Sequence, residues 1–177
     1  PIETEFYDYV NYAIYNKNNP QINYDIIDQT TAWKCFTISQ PAKGHQLYKP
    51  VQKVKLDMLE SYLNEFPYAY RGARKLTTPE IKIQRTNPMG GGFHNFHAEI
   101  SHWENCTRAL VWTIYLNDIP NGEGETEFLY DKIRIQPKEG MGCIFPAAWM
   151  YQHRGNPVHT HPKYIATGWY WYPEEKV

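Results

Sequence analysis

The chain has 177 residues, 42% of them hydrophobic and 16% aromatic, with a formal net charge of −1. That length suits a single domain with a sizeable core, and the near-neutral charge gives no global basic footprint for gripping nucleic acid. No apolar run approaches the roughly 18–20 residues needed to span a bilayer, so a membrane partner is not expected either. Taken along the chain, the first third reads as helical: Phe6, Val10, Ala13 and Ile14 recur at helical spacing, and Asn18-Asn19-Pro20 ends that segment. Residues 20–48 are mixed, with Trp33, Phe36 and Ile38 as the best strand candidates. Val51, Val54, Met58, Leu59, Tyr62, Leu63 and Phe66 outline a second amphipathic helix beginning just after Pro50.

From residue 79 onward, short β-branched and aromatic runs alternate with Gly, Pro and Asn. Strands are expected at 80–84, 96–101, 108–116, 126–130, 132–136, 142–145 and 164–172. The runs 108–116 and 164–172 are apolar on both parities, the pattern of strands covered on both faces. Short strands at this spacing point to a sandwich or barrel rather than a parallel α/β sheet. Cys35, Cys106 and Cys143 are few, odd in number and far apart, and none forms a CxxC pair. They argue against a disulfide framework and a thiolate zinc site, and favour a reducing compartment, the cytoplasm. Cys143 reads as a small core residue. The N-terminal stretch lacks the charged and apolar regions of a secretory signal, and it begins at Pro1 rather than Met, which leaves room for a precursor segment.

Chemistry concentrates in Phe96-His97-Ala98-Glu99. On a strand, residues i and i+2 point to the same face, so the imidazole and the carboxylate can reach one ion. A second histidine from another strand would complete a facial set of two imidazoles and one carboxylate, leaving three positions open, as in non-haem iron(II) oxygenases. An HxE pair alone is weak evidence, because His and Glu often share wet strand surfaces. The rest of the chain strengthens it. Tyr115-Leu116-Asn117 precedes Gly122-Glu123-Gly124-Glu125-Thr126-Glu127-Phe128, then come Pro137-Lys138-Glu139-Gly140 and Phe145. His153-Arg154-Gly155-Asn156-Pro157-Val158 follows, with Lys163 ten residues after His153 and Trp169 beyond.

That series resembles the catalytic half of the prolyl 4-hydroxylase branch of the iron(II)/2-oxoglutarate dioxygenases, whose pattern runs HxD, Arg, YLN, GGET-F, P-x-x-G, F, H-x-G-x-PV, Lys and Trp. The likeness covers residues 80–172, and its specificity lies in many elements falling in order with suitable gaps. It implies a mainly β (α+β) double-stranded β-helix, a cupin-like jelly roll with N-terminal helices: one domain, 1–177, in which 1–75 is helical support and 76–177 the catalytic half. It further implies His97, Glu99 and His153 as catalytic metal ligands, and Lys163 and Thr126 as partners of the far carboxylate of 2-oxoglutarate. A buried dicarboxylate does need a fixed cation and donors. Lys163 and Trp169 share strand parity, so both can face the pocket. Arg108 matches a substrate-facing position, and His94 and Trp169 join it as substrate-binding candidates. The implied cofactors are iron(II), 2-oxoglutarate and dioxygen, with ascorbate as an optional reductant. The implied reaction hydroxylates an unactivated C–H bond, with a prolyl residue of a peptide or protein as the leading substrate.

The sequence departs from the pattern twice. Glu99 stands where most of the family has Asp; a halogenating relative would carry Ala or Gly there, so a hydroxylase is expected. The tyrosine that usually precedes the first histidine is missing from Ile83–Gly92, and Gln84 is its candidate replacement. Gly90-Gly91-Gly92 forms either a flap over the site or a plain turn. Among rival histidines, His102 follows its strand and is expected at the surface, and His159 and His161 lie in a Pro-flanked loop that would give Lys163 the wrong offset. Trp103 and Trp149, near loops, are further candidates for contacting substrate, while the C-terminal aromatics suit core packing. Other readings are a hydroxylase of a free amino acid or small molecule, a non-catalytic cupin-like metal-binding module, and a zinc hydrolase.

Overall fold

In the computed structural model, which describes residues 48–69, 76–78, 81–89 and 92–173 together with the backbone of 23–27 and 35–39, the stripe of apolar residues around Val51 becomes helix α1, Tyr48–Glu65. It starts two residues ahead of Pro50, which a first helical turn tolerates because its N–H groups lack intrahelical partners anyway. One position breaks the stripe's polarity. Lys55 is fully buried, with its Nζ donating to the main-chain oxygen and hydroxyl of Thr78, both at 3.3 Å. Burial lowers its pKa to about 8. The Tyr170 hydroxyl donates to the Lys55 carbonyl, tying helix to sheet.

The strands are β1 (Asn23–Ile27), β2 (Cys35–Ser39), β3 (Lys82–Thr86), β4 (Arg108–Tyr115), β5 (Thr126–Phe128), β6 (Ile133–Ile135), β7 (Gly142–Pro146), β8 (His153–Gly155) and β9 (Lys163–Trp171). They form a larger sheet in the order β1-β2-β3-β9-β4-β7 and a smaller one in the order β6-β5-β8. Every pairing is antiparallel. This is the double-stranded β-helix that the sequence leads one to expect. No helix among the described residues is long and apolar enough to cross a membrane.

Strands β4 and β9 are covered on both faces, as their composition predicts. Leu110, Trp112 and Ile114 pack with Ile83, Ala166 and Tyr170 against Val51 of α1. On the other face Val111, Phe145 and Trp169 meet Phe128 of the smaller sheet and Ala147. Full burial of an aliphatic or Phe side chain stabilises by about 1.5–3 kcal/mol, so these layers fix how the two sheets face each other. Between Arg108 and Leu110 the register with β9 slips: Arg108 pairs with Trp171, Leu110 with Tyr170. This bulge inverts parity. Arg108 therefore leaves the even-numbered set facing α1 and joins Val111 and Thr113 on the cavity face.

Three expectations need correction. The first third is not simply helical, because β1 and β2 extend the larger sheet from within it. The segment Phe6–Ile14 and Trp33 lie outside the described residues, whereas Phe36 and Ile38 fall in β2. Residues 96–101 do not form a regular strand; only His97 makes a bridge, to His153. The cause is local. The Asn105 side chain accepts from the Ser101 and His102 amides at 3.0 and 3.1 Å, turning the chain toward the short 3-10 helix Trp103–Asn105. Finally, β3 begins two residues later than predicted.

Candidate metal centre

Two segments, the stretch holding His97 and Glu99 and strand β8 with His153, bring three candidate ligands to one point between the sheets. The amides of His97 and His153 each donate to the other's carbonyl at 3.0 Å, a reciprocal pair that sets two imidazoles side by side with ring centroids 4.5 Å apart. Each ring turns Nδ1 to a carbonyl two residues back, His97 to Asn95 at 2.9 Å and His153 to Tyr151 at 3.0 Å. With Nδ1–H spent on those carbonyls, Nε2 keeps its lone pair for an ion. Phe128 and Phe145 pack against the His153 ring.

Glu99 meets both rings. Its Oε1 is 3.6 Å from His97 Nε2 and 3.5 Å from His153 Nε2, and the possible ligand atoms of the three residues all lie within 4.8 Å of one another. Those 3.5–3.6 Å gaps are slightly wider than the roughly 3 Å between neighbouring ligands around an ion with bonds of about 2.1 Å. Burial alone would raise the Glu99 pKa, but hydrogen bonds and charge from His153 and His97 outweigh it and hold the carboxyl well below the usual range. The His97 pKa is raised: its burial opposes the charged form, and Glu99 and the Asn95 carbonyl more than offset it. A divalent cation would take over the role of those protons.

The far side of the carboxylate is also occupied. Glu99 Oε2 accepts from the Trp169 indole N–H at 2.8 Å and from Arg108 Nη1 at 3.2 Å. Arg108 and Trp169, expected at the substrate, do line the cavity, but their polar groups are directed at this ligand.

The cavity holds about 290 Å³ and runs from the histidines to Lys163, with Gln84 and Thr126 in its wall. Lys163 is only 6% exposed, and its Nζ donates to the Gly124 carbonyl at 2.9 Å. Gly124 has φ +70, the left-handed region that favours glycine, and a Cβ there would lie 2.8 Å from Val158 Cγ1. A Cβ on Gly155 would come 3.5 Å from Lys163 Nζ. Tyr115, whose phenol is pushed up by burial, donates its O–H to Thr126 Oγ1 at 2.7 Å. This leaves the threonine's own hydrogen available to another acceptor. The chamber thus offers an ammonium, a hydroxyl and an amide at one end and a three-donor metal set at the other.

Other candidates fall elsewhere. His94 is not among the lining residues; its Nδ1 meets the Gly155 carbonyl at 2.7 Å. His102, His159 and His161 are exposed. Trp103 and Trp149 are 81% and 66% exposed, and neither lines the cavity. Cys143 is a half-buried wall residue with a thiol pKa pushed up to about 12 by burial. Gly92 is buried, and Gly90 and Gly91 lie outside the described residues. Sequence reasoning missed Tyr115, although the quoted Tyr-Leu-Asn contains it. It also missed Glu123, whose carboxylate accepts from the amides of His159 and Thr160 and from the Thr160 hydroxyl, pinning the loop that leads into β9.

A profile of the 2OG-Fe(II) oxygenase superfamily matches residues 81–171, just over half of the 177-residue chain. Among solved structures, the viral collagen prolyl hydroxylase of Paramecium Bursaria Chlorella virus-1, in a 2OG complex, superposes with a TM-score of 0.61 at 20% identity, covering 97% of this chain and 90% of that one. A Pseudomonas putida prolyl-4-hydroxylase gives 0.59 at 17% identity, covering 93% and 85%. A prolyl hydroxylase in complex with a hypoxia inducible factor oxygen degradation domain peptide fragment, from Trichoplax adhaerens, gives 0.62 at 14% identity, covering 95% and 78%. At such identities the likeness concerns the fold. No curated protein matches the sequence.

Proposed function

The chain belongs to the 2OG-Fe(II) oxygenase superfamily, with iron(II) and 2-oxoglutarate as its cofactors, and from that footing we propose that it is a dioxygenase hydroxylating an unactivated C–H bond of a prolyl residue in a peptide or protein. One observation carries the enzymatic reading. Three ligand atoms of the kind that suits iron(II) converge within 4.8 Å, and a buried ammonium shares their cavity. A purely structural metal site has no use for that cation. The prolyl assignment draws on the fold likeness to three prolyl hydroxylases, one of them with a peptide bound.

His97 and His153 hold the metal through Nε2 and Glu99 through Oε1, which leaves three positions open on the cavity side. When bound, the cofactors and dioxygen supply an oxidative decarboxylation, giving succinate and carbon dioxide, that converts a C–H bond to C–OH. Lys163 binds the far carboxylate of the diacid, and Thr126 and Gln84 donate to it. Charge-assisted hydrogen bonds there offset the desolvation of the anion. The apolar wall from Val111 and Phe145 excludes water, and positioning of the target carbon supplies the selectivity. Arg108 and Trp169 border the space next to the ligands. All 177 residues work as one domain, with 1–75 supporting the catalytic part 76–177. A reducing compartment such as the cytoplasm suits the three widely spaced cysteines.

The test is anaerobic titration with iron(II) and 2-oxoglutarate, followed by succinate release with proline-containing peptides, free proline and other amino acids. A visible charge-transfer band, lost in His153→Ala without unfolding, is expected, with turnover stimulated by a proline peptide. Absence of the band overturns the oxygenase reading. Stimulation by free amino acids alone replaces the peptide substrate with a small one.

A further inference from the structure

We infer that Arg108 and Trp169 are positioning residues that restrict Glu99 to a single metal-binding oxygen; this rests on the metal centre proposed above. The argument starts from the two oxygens of one carboxylate. Oε1 faces both imidazoles at 3.5–3.6 Å. Oε2 holds two donors of its own, the Trp169 indole at 2.8 Å and the Arg108 guanidinium at 3.2 Å. Arg108 also donates to the main-chain carbonyl of Glu99 at 3.0 Å, so one guanidinium grips both ends of the residue.

The two donors are themselves braced. The guanidinium carbon of Arg108 lies 3.8 Å from the Trp169 ring centroid and 5.1 Å from that of Trp171. Trp171 meets Trp169 edge-on at 6.2 Å, and Trp169 belongs to the core layer between the sheets. The β4 bulge supplies the rest: without its parity change Arg108 would point toward α1. A β-bulge that re-aims one side chain at a metal ligand is a structural investment beyond simple packing.

Chemistry explains what the grip accomplishes. A facial set of three donor atoms leaves three open positions. A carboxylate that binds through both oxygens occupies one more and leaves two. The 2-oxo acid takes two by itself, so dioxygen would have none. Glutamate is more prone to this than aspartate, because its extra methylene adds a rotatable bond and lets the carboxylate swing. Tying Oε2 to an indole N–H and a guanidinium keeps it out of reach of the ion, and both bonds are strengthened by the charge on the carboxylate that accepts them. The clamp therefore makes glutamate serviceable at a position where aspartate would need less restraint.

The experiment titrates cobalt(II) into the apo protein, reading its visible absorption, for the wild type, Trp169→Phe and Arg108→Met, each also combined with Glu99→Asp. Trp169→Phe keeps a ring in the core and removes the N–H. Arg108→Met removes both guanidinium bonds at the first residue of β4, so folding failure in one leaves the other to decide. The expected result with Glu99 is a shifted cobalt absorption band at undiminished affinity, as the released second oxygen joins the ion, and little shift when residue 99 is Asp. A merely structural role would give equal losses in both backgrounds and an unchanged band, and that overturns the clamp. If His153→Ala, titrated alongside, binds cobalt as the wild type does, the metal centre has failed rather than the clamp.

Discussion

Lys163→Met keeps the length and the apolar stem of the side chain and deletes the ammonium alone. In the wild-type fold Lys163 is 6% exposed, and its ammonium has the Gly124 carbonyl at 2.9 Å. Truncating one partner of a buried, hydrogen-bonded charge pair costs roughly 2–5 kcal/mol. At about 1.4 kcal/mol per tenfold, that is about a 30-fold to several-thousand-fold loss of 2-oxoglutarate affinity. The lower part of the range applies here, because Thr126 and Gln84 remain in the same wall and Tyr115 already orients the Thr126 hydroxyl. The metal end of the diacid is untouched. Anaerobic titration of the manganese(II)-loaded protein with 2-oxoglutarate, followed by tryptophan fluorescence, reads the constant, and a manganese titration beside it reads the metal site. The expected pattern is a large rise in the first with the second unchanged, and no loss of apo stability, since a buried charge has been removed. A 2-oxoglutarate constant within about threefold of wild type, with metal binding intact, would refute the assignment of Lys163.

Gly124→Ala forces a side chain into φ +70 and onto Val158 Cγ1 at 2.8 Å and Ile119 Cγ2 at 3.1 Å. It should destabilise by about 1–3 kcal/mol in urea unfolding and weaken 2-oxoglutarate binding as well, because the moving carbonyl is the one that holds Lys163. Lys55→Met tests the buried cation of α1. Its pKa falls from 10.5 to about 8 on folding, so between those values the unfolded chain binds more protons than the native one, and stability rises with pH across that window. The penalty is fully present below pH 8. Melting temperatures should be higher for Lys55→Met than for wild type at pH 7 and converge toward pH 10.5; parallel curves would show that Lys55 carries no such penalty.

Strands β4 and β9 were readable because apolar residues occupy both parities, a pattern that only double coverage explains. His97, Glu99, His153 and Lys163 were readable as an ordered series, and the fold does bring them to one cavity. What stayed hidden depends on tertiary geometry. Residues 96–101 have a strand-like composition, but a single side-chain cap from Asn105 bends them. The direction of Arg108 hinges on a one-residue slip that no periodicity reveals. Lys55 sits where helical spacing asks for an apolar residue, and only the carbonyl and hydroxyl of Thr78, far along the chain, make it tolerable. Strand β1 begins Asn-Tyr-Asp, without the alternation that marks a half-buried strand.

The paired amides at 97 and 153 carry one more consequence. Because main-chain bonds mount the imidazoles, the entropy of bringing them together is spent during folding rather than when an ion arrives. Iron would enter a seat already built and could depart without loosening the chain around it. Only a slight drawing-in of side chains that stand 3.5–3.6 Å apart would remain for the ion to accomplish.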